Sequence, residues 1–475
     1  MQKTAARRRR KTARALRLAL VLAPSLISPS YAGELKPQEG YGLVAQLVAG
    51  EPRAAKAAAK RLVQARDPSL VPGIVDGLFF VPGAQRAPVV KVLRELTGED
   101  VGSRYLDWVE YVGSRPDLRP KPGYDQWKSL QLRRVDARFG KLIYAGVHAR
   151  IRLEEIVWGG VPLDGIPSID DPATTPATEA GFMRDRELVF GVHAGGAYRA
   201  YPKRVLSWHE MLNDRVGGEP VALSYCTLCG SAILYATRNG NGRRLLGTSG
   251  LLYRSNKLMY DRESFGLWSN LTGEAVLGEE ASRGEVLALM PVTLTSWKEW
   301  RTAHPGTDVL DVPALKRDIG RKFRFDYSAG AADRARAGVG FPVWQQSSVF
   351  ERNDEIYALK VGNATKAYRL SALYESPVLN DALGGVDIVL VSDSESGAVR
   401  VFRRDGERFG TAEGALRVRD EAGRIWRVGE EALTLEDEAE ERALERLPGH
   451  VAFWFGWYGF YPETEVWGVI EPGAD

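Results

Sequence analysis

The sequence predicts an α+β protein with a short α-helical segment followed by two tandem β-rich copies of one domain. Three observations support this fold class. Apolar residues recur every three or four positions across residues 41–112. Short β-type runs separated by Gly-rich turns begin near residue 150. The sequence after residue 335 repeats features of the sequence after residue 160.

The first 32 residues differ from the rest and predict a cleaved signal peptide. Eight Lys and Arg residues precede a ten-residue apolar run, Leu18–Ile27. Ser30, Tyr31 and Ala32 follow, with small residues at the positions that a signal peptidase reads. The run is too short to span a bilayer, although an uncleaved anchor is the alternative. We therefore expect a periplasmic or extracellular protein with no transmembrane segment in the mature chain.

The charge balance excludes one class of partner. The signal holds eight of the 64 Lys and Arg residues and none of the 61 Asp and Glu residues, so the mature chain is net acidic. The basicity of the whole sequence therefore gives no reason to expect a nucleic acid partner. No glycine loop of the phosphate-binding type follows a predicted strand, and we expect no nucleotide cofactor.

Residues 33–113 form the predicted helical segment. Apolar residues at helical spacing, interrupted by Gly and Pro, predict helices over Tyr41–Gly50, Pro52–Ala65, Leu70–Val81 and Ala87–Leu96. Short helices in succession resemble HEAT-type repeats, and a generic helical lead-in is the alternative. Residues 114–149 begin with a Pro-rich stretch and are predicted to be a linker and lead-in.

The first β-rich copy spans residues 150–325 and the second spans residues 335–470. Alternating and β-branched runs in the first copy predict strands over Leu188–Val192, Ala197–Tyr201, Val221–Tyr225, Ala232–Ala236 and Leu258–Tyr260.

The evidence for a duplication is an ordered set of matches. An offset of 167 residues places Tyr201 on Tyr368, Leu212-Asn213-Asp214 on Leu379-Asn380-Asp381, and Gly217-Gly218 on Gly384-Gly385. An offset of 157 places Trp297 and Trp300 on Trp454 and Trp457. So many Trp and Gly matches in one order predict two copies that pack as a pseudo-symmetric pair.

Both cysteines of the chain, Cys226 and Cys229, lie in the first copy, seventeen residues or more after His209. The second copy has Asp393, Ser396 and Ser376 at the corresponding positions. The fold therefore does not require sulfur or imidazole there, and the chemistry is predicted for the first copy alone.

The residues after Cys229 read as a strand, so the two cysteines are predicted to form a knuckle that directs both sulfurs to one point. Soft thiolates with an imidazole and a thioether favour copper over zinc. We predict an exported metal-binding protein, with an electron-transfer or metal-handling role and an unidentified protein or redox partner. The predicted ligands are Cys226, Cys229, His209 and Met259.

Two alternatives remain open. One is a non-catalytic scaffold or ligand-binding protein, in which Cys226 and Cys229 form a structural disulfide in an oxidising compartment. The other is a thiol–disulfide oxidoreductase. The sequence alone does not decide whether the protein is an enzyme.

The residues around the cysteines also resemble a known family. The matching motifs include Asp164-Gly-Ile-Pro167, Trp208-His-Glu210, Tyr225-Cys-Thr-Leu-Cys-Gly-Ser-Ala232, Ser249-Gly-Leu-Leu-Tyr253 and Met259-Tyr-Asp-Arg262. Over about residues 150–312 the chain is similar to the bacterial domain of unknown function 3179. Thr227 stands where the family usually has Pro, and Arg254 where it usually has Asn. The resemblance implies an exported, often multidomain bacterial protein with no settled activity.

Overall fold

The computed structural model describes residues 35–469, apart from 241, 321, 322, 324, 326, 329–340, 415 and 438–440. The predicted signal peptide, residues 1–32, lies outside the described residues. Among the described helices, none combines the length and the apolar character needed to cross a bilayer.

The N-terminal segment consists of helices that pack around one apolar core. They are α1 (Pro37–Ala49), α2 (Pro52–Ala65), α3 (Val71–Leu78), α4 (Arg86–Thr97), α5 (Tyr105–Ser114) and α6 (Tyr124–Arg133). The first four match the predicted helices within a few residues. The core also takes in Val157 and Leu252 from the β-rich region, so the helical segment packs against that region. The likeness to HEAT-type repeats stays a prediction.

Helix α6 lies within residues 114–149, which were predicted to be a linker and lead-in. Two aromatic side chains fix it to the helical segment. The Tyr124 hydroxyl donates to Asp76 Oδ2 at 2.6 Å, and Trp127 Nε1 donates to the Gly73 carbonyl at 3.0 Å. The prolines at residues 116–122 gave a linker-like composition, but the anchors that come after them form a helix with a buried face.

The first β-rich unit contains the five strands that the sequence predicted. Its strands are β1 (Ile156–Trp158), β2 (Ile169–Asp170), β3 (Thr174–Pro176), β4 (Leu188–Ala194), β5 (Ala197–Pro202), β6 (Met211–Val216), β7 (Glu219–Cys226), β8 (Ser231–Ala236), β9 (Leu246–Tyr253), β10 (Asn256–Asp261), β11 (Leu267–Ser269), β12 (Ala275–Leu277), β13 (Ala288–Met290), β14 (Thr293–Ser296) and β15 (Asp308–Leu310). Its helices are α7 (Lys203–His209), α8 (Glu279–Arg283), α9 (Trp297–Ala303) and α10 (Val312–Leu315). The sheets have the orders β1-β9-β10-β11-β12, β13-β8-β7-β6-β2 and β14-β4-β5-β15-β3.

The second unit begins, like the first unit from β4 onwards, with two strands, a short helix and three further strands. Its strands are β16 (Glu355–Val361), β17 (Ala364–Arg369), β18 (Val378–Leu383), β19 (Val386–Asp393), β20 (Ala398–Arg403), β21 (Phe409–Thr411), β22 (Arg417–Asp420), β23 (Ile425–Val428), β24 (Ala432–Leu435), β25 (Ala443–Leu447), β26 (Gly449–Phe453) and β27 (Glu465–Trp467). Its helices are α11 (Leu370–Glu375) and α12 (Trp454–Tyr458). The sheets have the orders β26-β16-β17-β27 and β18-β19-β20-β25-β24-β23-β22-β21.

Side chains at corresponding positions make the same hydrogen bonds in both units. The Tyr201 hydroxyl donates to Asp214 Oδ2 at 2.7 Å, and the Tyr368 hydroxyl donates to Asp381 Oδ2 at 2.9 Å. Trp300 Nε1 donates to Thr307 Oγ1 at 2.9 Å, and the matching Trp457 Nε1 donates to Thr464 Oγ1 at 3.0 Å. In each unit the last strand pairs in parallel with the second strand of a β-hairpin, β15 with β5 of the β4–β5 hairpin and β27 with β17 of the β16–β17 hairpin.

The two units meet at a reciprocal seam. Strand β14 of the first unit contacts β20 of the second, and β26 of the second contacts β8 of the first. Buried charges cross the seam, because Arg400 Nη2 lies 3.0 Å from Glu299 Oε1 and 2.7 Å from Glu430 Oε1. Arg446 pairs with Glu430 as well and donates to Thr293 Oγ1 at 2.7 Å. The seam is therefore an ordered interface with both apolar and ionic contacts.

Candidate functional site

The cysteines form the turn of the β7–β8 hairpin. Cys226 ends β7 and pairs with Ser231 of β8, so residues 227–230 make the connection. Gly230 adopts a φ of +63°, a left-handed conformation that glycine takes without steric cost. The segment after Cys229 is a strand, as predicted, and no helix begins at the cysteines.

The two thiols touch each other in a closed environment. Their Sγ atoms lie 2.8 Å apart, and the exposed fractions of Cys226 and Cys229 are 1% and 0%. Asn256 Nδ2 donates to Cys229 Sγ at 3.0 Å, and Ser231 supplies another hydrogen bond to the same sulfur. The thiol of Cys229 therefore lies in a polar pocket, although both side chains are buried.

The β9–β10 hairpin forms the opposite wall of the site. Its two turn residues, Arg254 and Ser255, have φ values of +50° and +57°, which non-glycine residues seldom adopt together. Arg254 is held in place by Glu155 Oε2 at 3.0 Å and by the Gly459 carbonyl at 3.0 Å. Strained backbone of this kind persists where the surroundings fix it, often at functional sites. Here the strained turn directs the next two residues towards the sulfurs.

The two thiols have unequal acidity. Burial alone would raise the pKa of Cys226, but the S–H of Cys229 and the main-chain N–H groups of Lys257 and Cys229 donate to its sulfur and lower the pKa below its usual value. Burial, followed by donation of its proton to Cys226, holds the pKa of Cys229 well above its usual value. The Cys226 thiol is therefore the more acidic of the pair and the Cys229 thiol the less acidic.

A buried lysine lies beside Cys226. Lys257 is 3% exposed, and its Nζ donates to the main-chain carbonyl of Glu210. Burial lowers the pKa of the Lys257 ammonium, while the negative charges of Glu210, Cys226 and Cys229 oppose that change. The Glu210 carboxylate accepts a hydrogen bond from Thr227 Oγ1 at 2.8 Å, which ties Glu210 to the cysteine turn.

His209 is engaged elsewhere. Its Nδ1 lies 2.8 Å from the Pro167 carbonyl, which can only accept, so Nδ1 carries the ring proton. Nε2 then accepts from the Tyr327 hydroxyl at 2.5 Å, and the lone pair that a metal would need is occupied. Burial lowers the pKa of His209 to about 4, so the ring is neutral near pH 7.

Met259 packs with Trp268 and Trp454 in an apolar cluster separate from the one around the sulfurs. Across the described part of the chain, no group of three or more His, Cys, Asp and Glu side chains is arranged to hold a metal ion. The structure thus brings together Cys226 and Cys229 but not the other two predicted ligands. A four-ligand copper or zinc centre does not fit these residues, since two sulfurs are too few for it.

Side chains from both units cover the dithiol. Leu228, Val343, Phe453 and Phe455 surround the sulfurs, and the Phe453 N–H donates to the Cys229 carbonyl at 2.7 Å. We call these four residues the apolar cover. Only Leu228 among them belongs to the first unit, so the second unit and the segment before it close the site.

Sequence reasoning missed Asn256 and Lys257, although they come after the Ser249–Tyr253 motif by a two-residue turn. A signal was present in that motif, because two non-glycine residues between two strands must form a strained tight turn. The sequence-based prediction also selected His209 from the Trp-His-Glu motif. In the structure, the neighbouring Glu210 is the residue that contacts the cysteine turn.

The profile of a known protein family matches residues 163–464, which includes both β-rich units and exceeds the predicted resemblance over residues 150–312. No curated protein and no solved structure matches the chain. The family match covers more than half of the sequence and carries the cysteine turn, the Glu210 motif and the β9–β10 hairpin. The chain therefore belongs to the family described as protein of unknown function (DUF3179).

Proposed function

We propose that the first unit carries a redox-active dithiol and that the protein is a thiol–disulfide oxidoreductase. The observation that supports this proposal is the unequal environment of Cys226 and Cys229. A nucleophilic thiolate beside a protonated resolving thiol is the arrangement that disulfide exchange requires. A purely structural disulfide has no need of thiolate donors or of a buried lysine, and burying such groups is costly.

The proposed reaction is balanced within the dithiol and a disulfide substrate. The Cys226 thiolate attacks one substrate sulfur, the substrate S–S bond breaks, and the first substrate thiolate leaves and takes a proton from solvent. Cys229 then loses its proton and attacks Cys226 Sγ in the mixed disulfide. The second substrate thiolate leaves with a proton, so the protein is oxidised by two electrons and the substrate is reduced to two thiols. The reverse reaction oxidises a dithiol substrate.

Substrate access requires local opening, because both sulfurs are buried beneath the apolar cover. Opening of this kind costs less than global unfolding in many proteins. No helix begins at the cysteines, as one does in many dithiol proteins, where its N-terminus lowers the pKa of a cysteine. The main-chain N–H groups of Lys257 and Cys229 take that role in the proposal.

The proposal is tested by a redox titration of the dithiol in defined glutathione buffers, read by mass after acid quenching and alkylation. We expect reversible interconversion within the range of thiol-exchange proteins, and a trapped mixed disulfide on Cys226 in a Cys229→Ser variant. The matched Cys226→Ser variant should trap far less, because the pKa of the Cys229 thiol is raised. A disulfide that is not reduced in any of the glutathione buffers, or equal trapping of mixed disulfide by both variants, would instead support a structural disulfide.

We further propose that the mature protein acts outside the cytoplasm, since the signal-like sequence of residues 1–32 supports export. Fractionation of a tagged full chain tests this, and a cytoplasmic product of unprocessed mass would refute it.

We also propose that the two β-rich units are copies of one ancestral unit. The matched hydrogen bonds, the shared order of six elements and the reciprocal seam support that origin.

A further inference from the structure

We propose that the seam between the two units is a binding site for one water molecule, held by the Tyr357 hydroxyl and by Nε2 of His450. The site is separate from the sulfurs, and the inference does not depend on the redox proposal. It assigns a ligand to two buried polar side chains that the proposed function does not use.

The site is a small cavity where strands of the two units face each other. Its lining comes from β4, β8 and β14 of the first unit and from β16, β20 and β26 of the second. The offsets of 167 and 157 residues relate most of the lining side chains in matched pairs, which are Phe190 with Tyr357, Ala232 with Val399 and Leu294 with Val451. The cavity offers about 20 Å³ to the centre of a water molecule, and roughly 10–15 Å³ is enough for one water.

Two buried polar atoms of the second unit belong to side chains that line this cavity. Tyr357 is 2% exposed, and neither its hydroxyl nor Nε2 of His450 has a hydrogen-bond partner among the described residues. The hydroxyl lies against Gly449, the residue before His450, because a Cβ added to that glycine would be 2.7 Å from the hydroxyl oxygen. Unpaired polar atoms in a protein interior are costly. One water bound to both atoms would satisfy them, as ordered waters do for buried polar groups in many proteins.

The first unit provides an internal comparison. Phe190 stands at the position of Tyr357, so an aromatic ring without a hydroxyl fits the matching place in the fold. Thr293 stands at the position of His450, and its hydroxyl donates to Glu430 Oε2 at 2.6 Å. The first-unit side chains that line the cavity are all apolar. The polar character of the cavity therefore comes from the second unit, and packing alone does not account for it.

The site suits a neutral molecule rather than an ion. Burial raises the pKa of Tyr357 to about 12 and lowers the pKa of His450 to about 4, so both groups are neutral near pH 7. The charged groups that act on the Tyr357 hydroxyl are Arg400, Arg446 and Glu430, and Glu430 pairs with both arginines. A neutral hydroxyl and a neutral imidazole each donate or accept a hydrogen bond, which matches the donors and acceptors of water.

The competing explanation is a packing defect in which the hydroxyl stays unpaired. The two explanations predict opposite effects of Tyr357→Phe. Removal of an unpaired buried hydroxyl stabilises the fold, whereas removal of a hydroxyl that binds a water breaks a hydrogen bond and destabilises it. Urea unfolding of the full chain is therefore measured for wild type, Tyr357→Phe, His450→Leu and the double variant. Tyr144→Phe, which alters a tyrosine that is 45% exposed, is the matched control.

We expect Tyr357→Phe to lower the folding equilibrium constant by about fivefold, as for the loss of one hydrogen bond. The double variant should lose less than the product of the two single effects, because either change alone already breaks the shared bridge. Tyr144→Phe should leave the constant unchanged. A crystal structure of the wild-type protein should show one ordered water within hydrogen-bond distance of both atoms.

If His450→Leu does not fold, Tyr357→Phe and the crystal structure decide the outcome. A folding equilibrium constant that rises in Tyr357→Phe would overturn the inference. So would single effects that multiply without coupling in the double variant, or a well-ordered seam with no water between the two side chains.

Discussion

The contact between Gly456 and Cys229 gives a direct test of how the dithiol is closed. Gly456 lies in α12, and a Cβ added there would be 2.4 Å from the Cys229 Cβ. Non-bonded carbon atoms normally approach to about 3.5–4.0 Å. To restore that normal separation after a Gly456→Ala substitution, α12 and the cysteine turn must move apart by at least about 1 Å.

The size of the effect is set by the cost of overpacking. An inserted methyl group in a packed core costs about 1–3 kcal/mol. If the strain falls on the closed state of the cover, it increases the open population by about 5- to 150-fold. Alkylation of a buried thiol proceeds through the open state. We therefore expect iodoacetamide to modify Cys226 faster by about the same factor under native conditions, measured as mass against time.

Gly410→Ala is the matched control, because nothing lies within 4 Å of the added Cβ and its backbone is ordinary. It should leave the alkylation rate unchanged. Melting temperatures are measured in parallel, so that local opening is distinguished from loss of the whole fold. An alkylation rate in Gly456→Ala equal to that of wild type, with both proteins folded, would refute the assignment of α12 as part of the closure.

Three further predictions concern stability and metal content. His209 has a folded pKa of about 4 against 6.5 when unfolded, so the unfolded chain binds the extra proton and stability falls as pH drops from 6.5 to 4. Relative to His209→Gln, wild type should lose roughly 3 kcal/mol over that range in urea unfolding; a constant difference between the two proteins would contradict this. Glu430→Gln leaves two buried arginines with reduced compensation and should destabilise by about 3–5 kcal/mol, whereas Glu445→Gln on the surface should cost under about 1 kcal/mol in the same assay. Elemental analysis of protein purified in reducing buffer should find copper and zinc far below one ion per chain, and one copper that is lost in Cys226→Ser would restore the metal hypothesis.

Local pattern was enough to predict the scaffold around the site. Alternation on either side of Cys226 and Cys229 predicts two strands, and Gly230 predicts the tight turn between them, because both signals depend only on neighbouring residues. The Trp residues of the 157-residue offset, Trp297 and Trp454, each begin a short helix, α9 and α12. Helix α6 was missed because its buried face is defined by contacts with α3 rather than by its own composition.

The ligand set could not be predicted in the same way. His209 and Met259 have suitable chemistry, but the direction of a side chain depends on which elements pack together. The turn after α7 directs His209 to Pro167, and the pairing of β10 directs Met259 into a separate core. Asn256 and Lys257 reach the sulfurs only because two hairpins dock against each other, and no spacing in the sequence encodes that contact.

The contacts at the two hairpin turns of the seam differ between the units. Each unit presents its hairpin turn to the other unit's short helix. In the second unit Ser396 Oγ donates to Asp393 Oδ2 at 2.5 Å, so a hydrogen bond stands where the first unit has the thiol pair. Gly456 corresponds by the 157-residue offset to Glu299, whose carboxylate pairs with Arg400 across the seam. A glycine therefore leaves room for Cys229 on one side, and a charged pair fills the other. The second unit has no sulfur, yet its helix and cover residues close over the first unit's dithiol.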